Sequence, residues 1–165
     1  VQAVADRIER LRGTVLVTGK ATIDQGNFKT DDDFGRAAGH TVTAGTLWTT
    51  DTVDRIADLQ AWSDVYVETN GVEPGSLVMS KRAFRALSAG DQFRVQLVGG
   101  GSRPATDADV RAIVAGAGLP DIYLYDRRTS AGRVLADDRI LFLPAPVDPD
   151  DSEGTELGAT FWGQT

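Results

Sequence analysis

The chain has 165 residues, enough to bury a core of its own, and its hydrophobic content of 41% is that of a globular protein. With 17 Lys plus Arg against 24 Asp plus Glu, its net charge of −7 argues against a dedicated nucleic-acid binder, which needs positive charge to release phosphate counterions. No cysteine is present, which excludes disulfides and thiolate metal sites. No apolar run approaches the roughly 20 residues of a membrane span, and no secretory leader is visible.

Val1, Val4, Ala5, Ile8 and Leu11 follow the i, i+3, i+4, i+7 spacing of an amphipathic helix, with Asp6, Arg7, Glu9, Arg10 and Arg12 on its other face. Gly13 is placed to end it. Residues 14–17 and 21–23 are β-branched and apolar and read as strand. Residues 24–33 are polar and turn-rich, and 34–48 read as a second extended segment. A long hairpin follows, its tip near Gln25-Gly26-Asn27.

Thr50 or Asp51 can cap the next helix, whose apolar stripe is Val53, Ile56, Ala57, Leu59 and Trp62. Glu73-Pro74-Gly75 is a turn signal, 76–79 a short buried strand, and Ser80 the cap of a helix reaching Leu87. Phe93, Val95 and Leu97 alternate as a strand does, and Gly99-Gly100-Gly101-Ser102 is a loop. Thr106-Asp107-Ala108-Asp109 is close to a capping box, opening a helix that turns Val110, Ile113, Val114 and Ala117 inward and stops at Gly118. Residues 122–125 and 140–143 read as strands joined through 127–138, and 146–156 as an acidic, proline-bearing loop. The alternation of helix and strand over 50–138 implies a small α/β layer structure. The flanks form a second, discontinuous unit, so the fold class is α+β.

The residues that could carry chemistry do not assemble into a catalytic pattern, and no cofactor is expected. His40, the single histidine, sits in a Thr-rich, strand-like stretch and reads as a surface or interstrand residue rather than a base. Asp31-Asp32-Asp33 lacks the calcium-loop pattern and reads as a solvated hairpin edge. Asp148, Asp150, Asp151 and Glu153 read as a solvated acidic loop. The triple glycine is not part of a phosphate-binding loop. Arg127, Arg128 and Arg133 form the one locally basic loop, which suits acidic residues of a neighbouring subunit better than nucleic acid. Trp48, Trp62 and Trp162 read as core or interface anchors. From the residues alone the chain is not identifiable as an enzyme.

Four landmarks stand in order. Gly71-Val72-Glu73-Pro74-Gly75-Ser76-Leu77-Val78-Met79-Ser80 runs into Lys81-Arg82-Ala83-Phe84. Gly118-Leu119-Pro120-Asp121-Ile122-Tyr123-Leu124-Tyr125-Asp126 follows, then Asp138-Arg139-Ile140-Leu141-Phe142-Leu143-Pro144, then Leu157-Gly158-Ala159-Thr160-Phe161-Trp162-Gly163-Gln164-Thr165. In this order and spacing the chain resembles the major capsid protein E family of lambda-type tailed phages. The resemblance implies the tailed-phage major capsid fold, shared with herpesvirus capsid floors and encapsulin shells. That fold has an α/β axial domain and a peripheral domain of spine helix and elongated β-sheet. On this reading residues 1–49 are the end of the spine helix and the long hairpin, 50–138 the axial domain, and 139–165 the return to the peripheral domain. The family's N-terminal arm and extended loop have no counterpart here, so the chain is expected to be a fragment of a longer protein.

The implied function is structural: a coat protein that self-assembles into hexamers and pentamers of an icosahedral, DNA-containing shell in the virion, built in the bacterial host cytoplasm. Its partners would be other copies of itself, with scaffold, portal and decoration proteins. Contact with packaged DNA would be weak and non-specific, and no membrane would be involved. Arg127, Arg128, Arg133 and Asp137 would lie near the capsomer axis. Gln25, Asn27, Lys29 and Asp31 would lie near the hairpin tip, against neighbouring capsomers. An encapsulin-like cellular shell protein and an unrelated soluble α/β enzyme are the competing readings.

Overall fold

The computed structural model describes residues 2–146. Its first element, α1 (Gln2–Thr18), runs well past the expected stop at Gly13. That glycine is buried inside the helix, where a Cβ would lie 2.7 Å from Val134 Cγ1 and 2.8 Å from Val134 O. Its role is close approach, not termination. The strand expected over 14–17 is therefore helix, and the hydroxyls of Thr14 and Thr18 donate back to Arg10 O (3.0 Å) and Thr14 O (2.7 Å). The helix ends at Gly19, whose φ of 74° places it in the left-handed region and whose N–H bonds Val15 O at 2.7 Å. Arg36 closes the end by donating to Leu16 O (2.9 Å) and Val17 O (2.5 Å).

Strands β1 (Lys20–Gln25) and β2 (Phe28–Asp33) pair antiparallel around Gly26-Asn27, at the expected tip. The hairpin is shorter than expected, because its return strand is the Asp-rich 28–33 rather than 34–48. Aspartate is a poor strand former, but pairing across the hairpin overrides that preference. Directly opposed residues bond: Lys20 with Asp33 (3.2 Å), Thr22 with Asp31 (2.8 Å) and Lys29 with Asp24 (3.3 Å). Over 34–48 the chain is irregular apart from a 3₁₀ turn, Ala38–His40.

Helix α2 (Arg55–Asn70) starts later than Thr50 or Asp51 would have it. Its cap is Asp54, which accepts from Ala57 N at 3.0 Å, and it ends at Gly71 with φ 72°. The delay comes from Arg55, which is completely buried. Its guanidinium donates to four main-chain carbonyls: Ala86 (2.8 Å), Asp51 (3.2 Å), Val53 (3.3 Å) and Trp48 (2.5 Å). These bonds fold residues 48–53 back onto the helix start, so they cannot extend it. Strand β3 (Ser76–Met79) and α3 (Lys81–Ser88) follow, the helix capped by Ser80 as its sequence requires. Phe93 is fully buried within a 3₁₀ turn (Asp91–Phe93), so the expected strand from Phe93 shrinks to β4 (Val95–Gln96). It pairs with β5 (Ser102–Arg103) across the glycine loop.

Helix α4 (Asp107–Gly116) carries the full capping box of Thr106 and Asp109. After β6 (Ile122–Leu124) the linking segment contains a small hairpin, β7 (Arg128–Thr129) and β8 (Gly132–Arg133), before β9 (Ile140–Leu143). The central sheet has the order β6-β3-β9, with β3 parallel to β6 and antiparallel to β9. Leu77, Met79 and Ile122 of this sheet pack with Leu59 of α2, Leu87 of α3, and Val110 and Val114 of α4. Burying a side chain of this size contributes about 1.5–3 kcal/mol, so this cluster is the main source of stability. Mixed helix and small sheets make the fold α+β, as expected.

Candidate assembly surfaces

The hairpin-tip set is exposed: Gln25, Asn27, Lys29 and Asp31 all face solvent. Lys29 and Asp31 are engaged across the hairpin by Asp24 and Thr22, while Asn27 stands at the turn. The Gln25 amide, in the orientation that satisfies it, accepts from the Arg7 guanidinium of α1.

The basic-loop set is mostly committed within the chain. Arg127 pairs with Asp6 (3.4 Å) and Glu9 (3.9 Å) of α1. Tyr125 donates its hydroxyl to Glu9. Burial and this acidic neighbour push the phenol up to about 12. Arg133 binds Asp126 and also donates to Leu135 O at 3.2 Å. Asp126 also receives the Lys81 N–H at the start of α3 (3.0 Å). Arg133 first, and then that N–H, hold its carboxyl below the usual carboxylate range. Asp137 pairs with Arg82 (3.2 Å), and its carbonyl accepts from Ser80 Oγ at 2.6 Å. Among the described residues Arg128 makes no ion pair, and it is exposed on β7. The loop is thus a pad bolted to α1 and α3, with Arg128 as its outward cation. The two sets are bridged by α1, because Gln25 meets Arg7 while Arg127 meets Asp6 and Glu9.

Sequence reasoning passed over Asp6, Glu9, Tyr125 and Asp126, whose roles depend on partners distant in the chain. It also passed over a groove of about 820 Å³ between the 34–48 segment, α2 and β9. Trp48 and Trp62 stack in its wall, their ring centroids 5.9 Å apart. His40 lies in the same wall on a 3₁₀ turn, not on a strand, and its Nε2 is buried without a hydrogen-bond partner among the described residues. Asp31, Asp32 and Asp33 lie spread along β2, with Asp33 held by Lys20. Among the described residues no three His, Asp or Glu side chains gather as a metal site would require. No described helix is long and apolar enough to cross a membrane. Trp162 and the acidic residues Asp148, Asp150, Asp151 and Glu153 lie outside the described residues.

No protein-family model and no curated protein matches the chain. Among solved structures it is similar to one assigned as a prophage capsid protein of Escherichia coli CFT073, at 16% identity and a TM-score of 0.55. The likeness covers 84% of this chain and 44% of that one, so the chain spans under half the length of the protein it matches. At that identity the likeness defines the fold, which is capsid-like.

Proposed function

We propose that the chain is the body of a tailed-phage or prophage major capsid protein, of the lambda-type E family. On this reading, copies join into hexamers and pentamers of an icosahedral shell through heterologous contacts that close into rings. The observation that carries the reading is the capsid-like fold over 84% of the chain. The order of landmarks from Gly71 to Thr165 supports it independently. In this role the chain performs no catalysis. It would reside in the virion after assembly in the host cytoplasm, with scaffold, portal and decoration proteins as further partners and weak contact with packaged DNA. Residues 50–138 would be the axial domain, and 1–49 with 139–165 the peripheral one.

The subunit contacts are assigned by availability. Arg128 offers a cation that nothing described in its own chain neutralises, and an acidic protein presents many carboxylates to meet it. Arg127, Arg133 and Asp137 would act by fixing the pad that presents Arg128. Asn27, with Gln25, Lys29 and Asp31 beside it, would contact the adjoining capsomer.

Arg128→Glu in the intact reading frame tests this assignment. Capsomers should fall to monomers in analytical ultracentrifugation while the monomer's circular dichroism is unchanged. Capsomers that persist in the variant would remove Arg128 from the interface.

A further inference from the structure

The chain has two asparagines, Asn27 and Asn70, and only Asn70 is followed by glycine. An Asn-Gly linkage is prone to lose its side-chain amide, because glycine has no Cβ to shield the nitrogen that attacks it. Here the pair closes α2: Asn70 is the last residue of the helix, and Gly71, with φ 72°, is its left-handed cap. The attacking nitrogen and the amide that must leave are both tied to the preceding turn. Gly71 N–H donates to Val67 O at 2.8 Å, and Asn70 Nδ2 donates to Tyr66 O at 2.9 Å. Thr69 Oγ1 adds a bond to Val65 O at 3.0 Å. Upstream, the buried Tyr66 anchors this turn to the body of the protein. Downstream, the Gly75 N–H is fixed on Leu143 O at 2.8 Å, just before β3 begins.

We propose that Asn70 is a site of spontaneous covalent modification in this protein, and that the last turn of α2 is its gate. When that turn opens, Gly71 N is released from Val67 O and attacks Asn70 Cγ. A bond forms between Gly71 N and Cγ as the Gly71 N–H proton passes to solvent. The Cγ–Nδ2 bond breaks, and the amide leaves as ammonia with a proton taken from solvent. Solvent water then opens the resulting succinimide at either carbonyl, giving aspartate or isoaspartate with no change of oxidation state. While the turn is closed, nucleophile and leaving group are both held by main-chain carbonyls and the reaction waits. Helix ends open locally far more readily than a whole domain unfolds, so the gate is the turn and not the fold. Either product places a carboxylate at the negative end of the helix dipole and loses the donor to Tyr66 O. Isoaspartate also lengthens the backbone between α2 and Gly75, which packs so closely that a Cβ there would lie 2.4 Å from Ala145 Cα. The inference concerns one chain and stands whether or not the protein builds a shell.

Peptide mapping by mass spectrometry tests it, following the conversion of Asn70 to aspartate and isoaspartate in the full chain at mildly alkaline pH. Conversion should be at least about tenfold slower in the folded chain than in the chain unfolded by urea, yet measurable. Equal rates would overturn the proposal, because the turn would then guard nothing. No conversion in the folded chain, over a time in which the unfolded chain converts fully, would overturn it too. Urea below the unfolding transition separates a local gate from a global one. Opening one turn exposes little surface, so the rate should stay nearly constant there; a steep rise parallel to global unfolding would count against the proposal. Thr69→Pro removes a main-chain donor and clashes with the Val65 carbonyl, which opens the turn. With circular dichroism confirming that this variant folds, its rate should come within about threefold of the unfolded chain's, and a rate equal to the folded parent's would refute the gate. The urea series needs no variant, so the test remains decisive if Thr69→Pro does not fold.

Discussion

Replacing Arg55 with Met tests whether a single buried cation organises the start of α2. The guanidinium is completely buried and meets four main-chain carbonyls, from Trp48, Asp51, Val53 and Ala86, rather than a carboxylate. It also lies over the Trp48 ring, 5.9 Å from the centroid. Each hydrogen bond to a charged group contributes about 1.5–3 kcal/mol net, and each buried carbonyl left unpaired costs about 1–3 kcal/mol. Against this stands the several kcal/mol spent on taking the charge out of water. Met fills much of the stem's volume and removes the charge, so the expected loss is the residual, about 3–5 kcal/mol. That is a large share of the roughly 5–15 kcal/mol holding a domain together. With a urea slope of about 2 kcal/mol/M, the denaturation midpoint should fall by about 2 M. Arg55→Lys should fall nearly as far, because an ammonium cannot span four acceptors arranged around a planar fork. A midpoint within 0.5 M of the parent for Arg55→Met (about 1 kcal/mol at that slope) would refute the reasoning.

Gly90→Ala should destabilise by about 1–3 kcal/mol in the same titration, since its Cβ would stand 2.7 Å from an Arg55 Nη1 that is already pinned by carbonyls. Arg128→Glu should leave the monomer's melting midpoint within about 2 °C, as an exposed substitution does, whereas Arg127→Glu sets a carboxylate against Asp6 and Glu9 and should lower it measurably. Asp109 and Asp126 both titrate below the usual carboxylate range, held there chiefly by Arg103 and Arg133. Their folded pKa values lie below the unfolded ones. Their stabilisation is therefore complete above about pH 4 and is lost as pH falls through the folded values. Asp109→Asn with Asp126→Asn should flatten the fall in melting temperature below pH 4, and an unchanged slope would contradict the assignment.

What is legible in the sequence is what is decided locally. Ser80 caps α3, and Thr106 with Asp109 caps α4, because each bond closes within four residues. Strands 76–79 and 140–143 stand out as short apolar runs and lie where the pattern puts them. Gly13 looks like a stop but is a contact point, because Val134, which comes against it, is 121 positions later in the chain. β2 is hidden because its three aspartates depend on Lys20, Thr22 and the hairpin register. The candidate surfaces divide in the same way. That Arg127, Arg128 and Arg133 form a basic loop is visible from spacing. That Arg127 and Arg133 are engaged by Asp6, Glu9 and Asp126 depends on tertiary contacts that no local pattern encodes. The groove beside β9 is invisible for the same reason, its walls coming from five separate stretches of chain.

The central claim is that this capsid-like fold builds a shell. Negative-stain electron microscopy of the intact reading frame tests it most directly. The frame would be expressed alone and with its neighbouring genes. Uniform closed particles, or free hexamers and pentamers, are the predicted result. Terminase, portal and protease genes alongside would assign the shell to a phage, and a cargo enzyme gene would assign it to a cellular compartment. A small, non-assembling protein under both conditions would contradict the account.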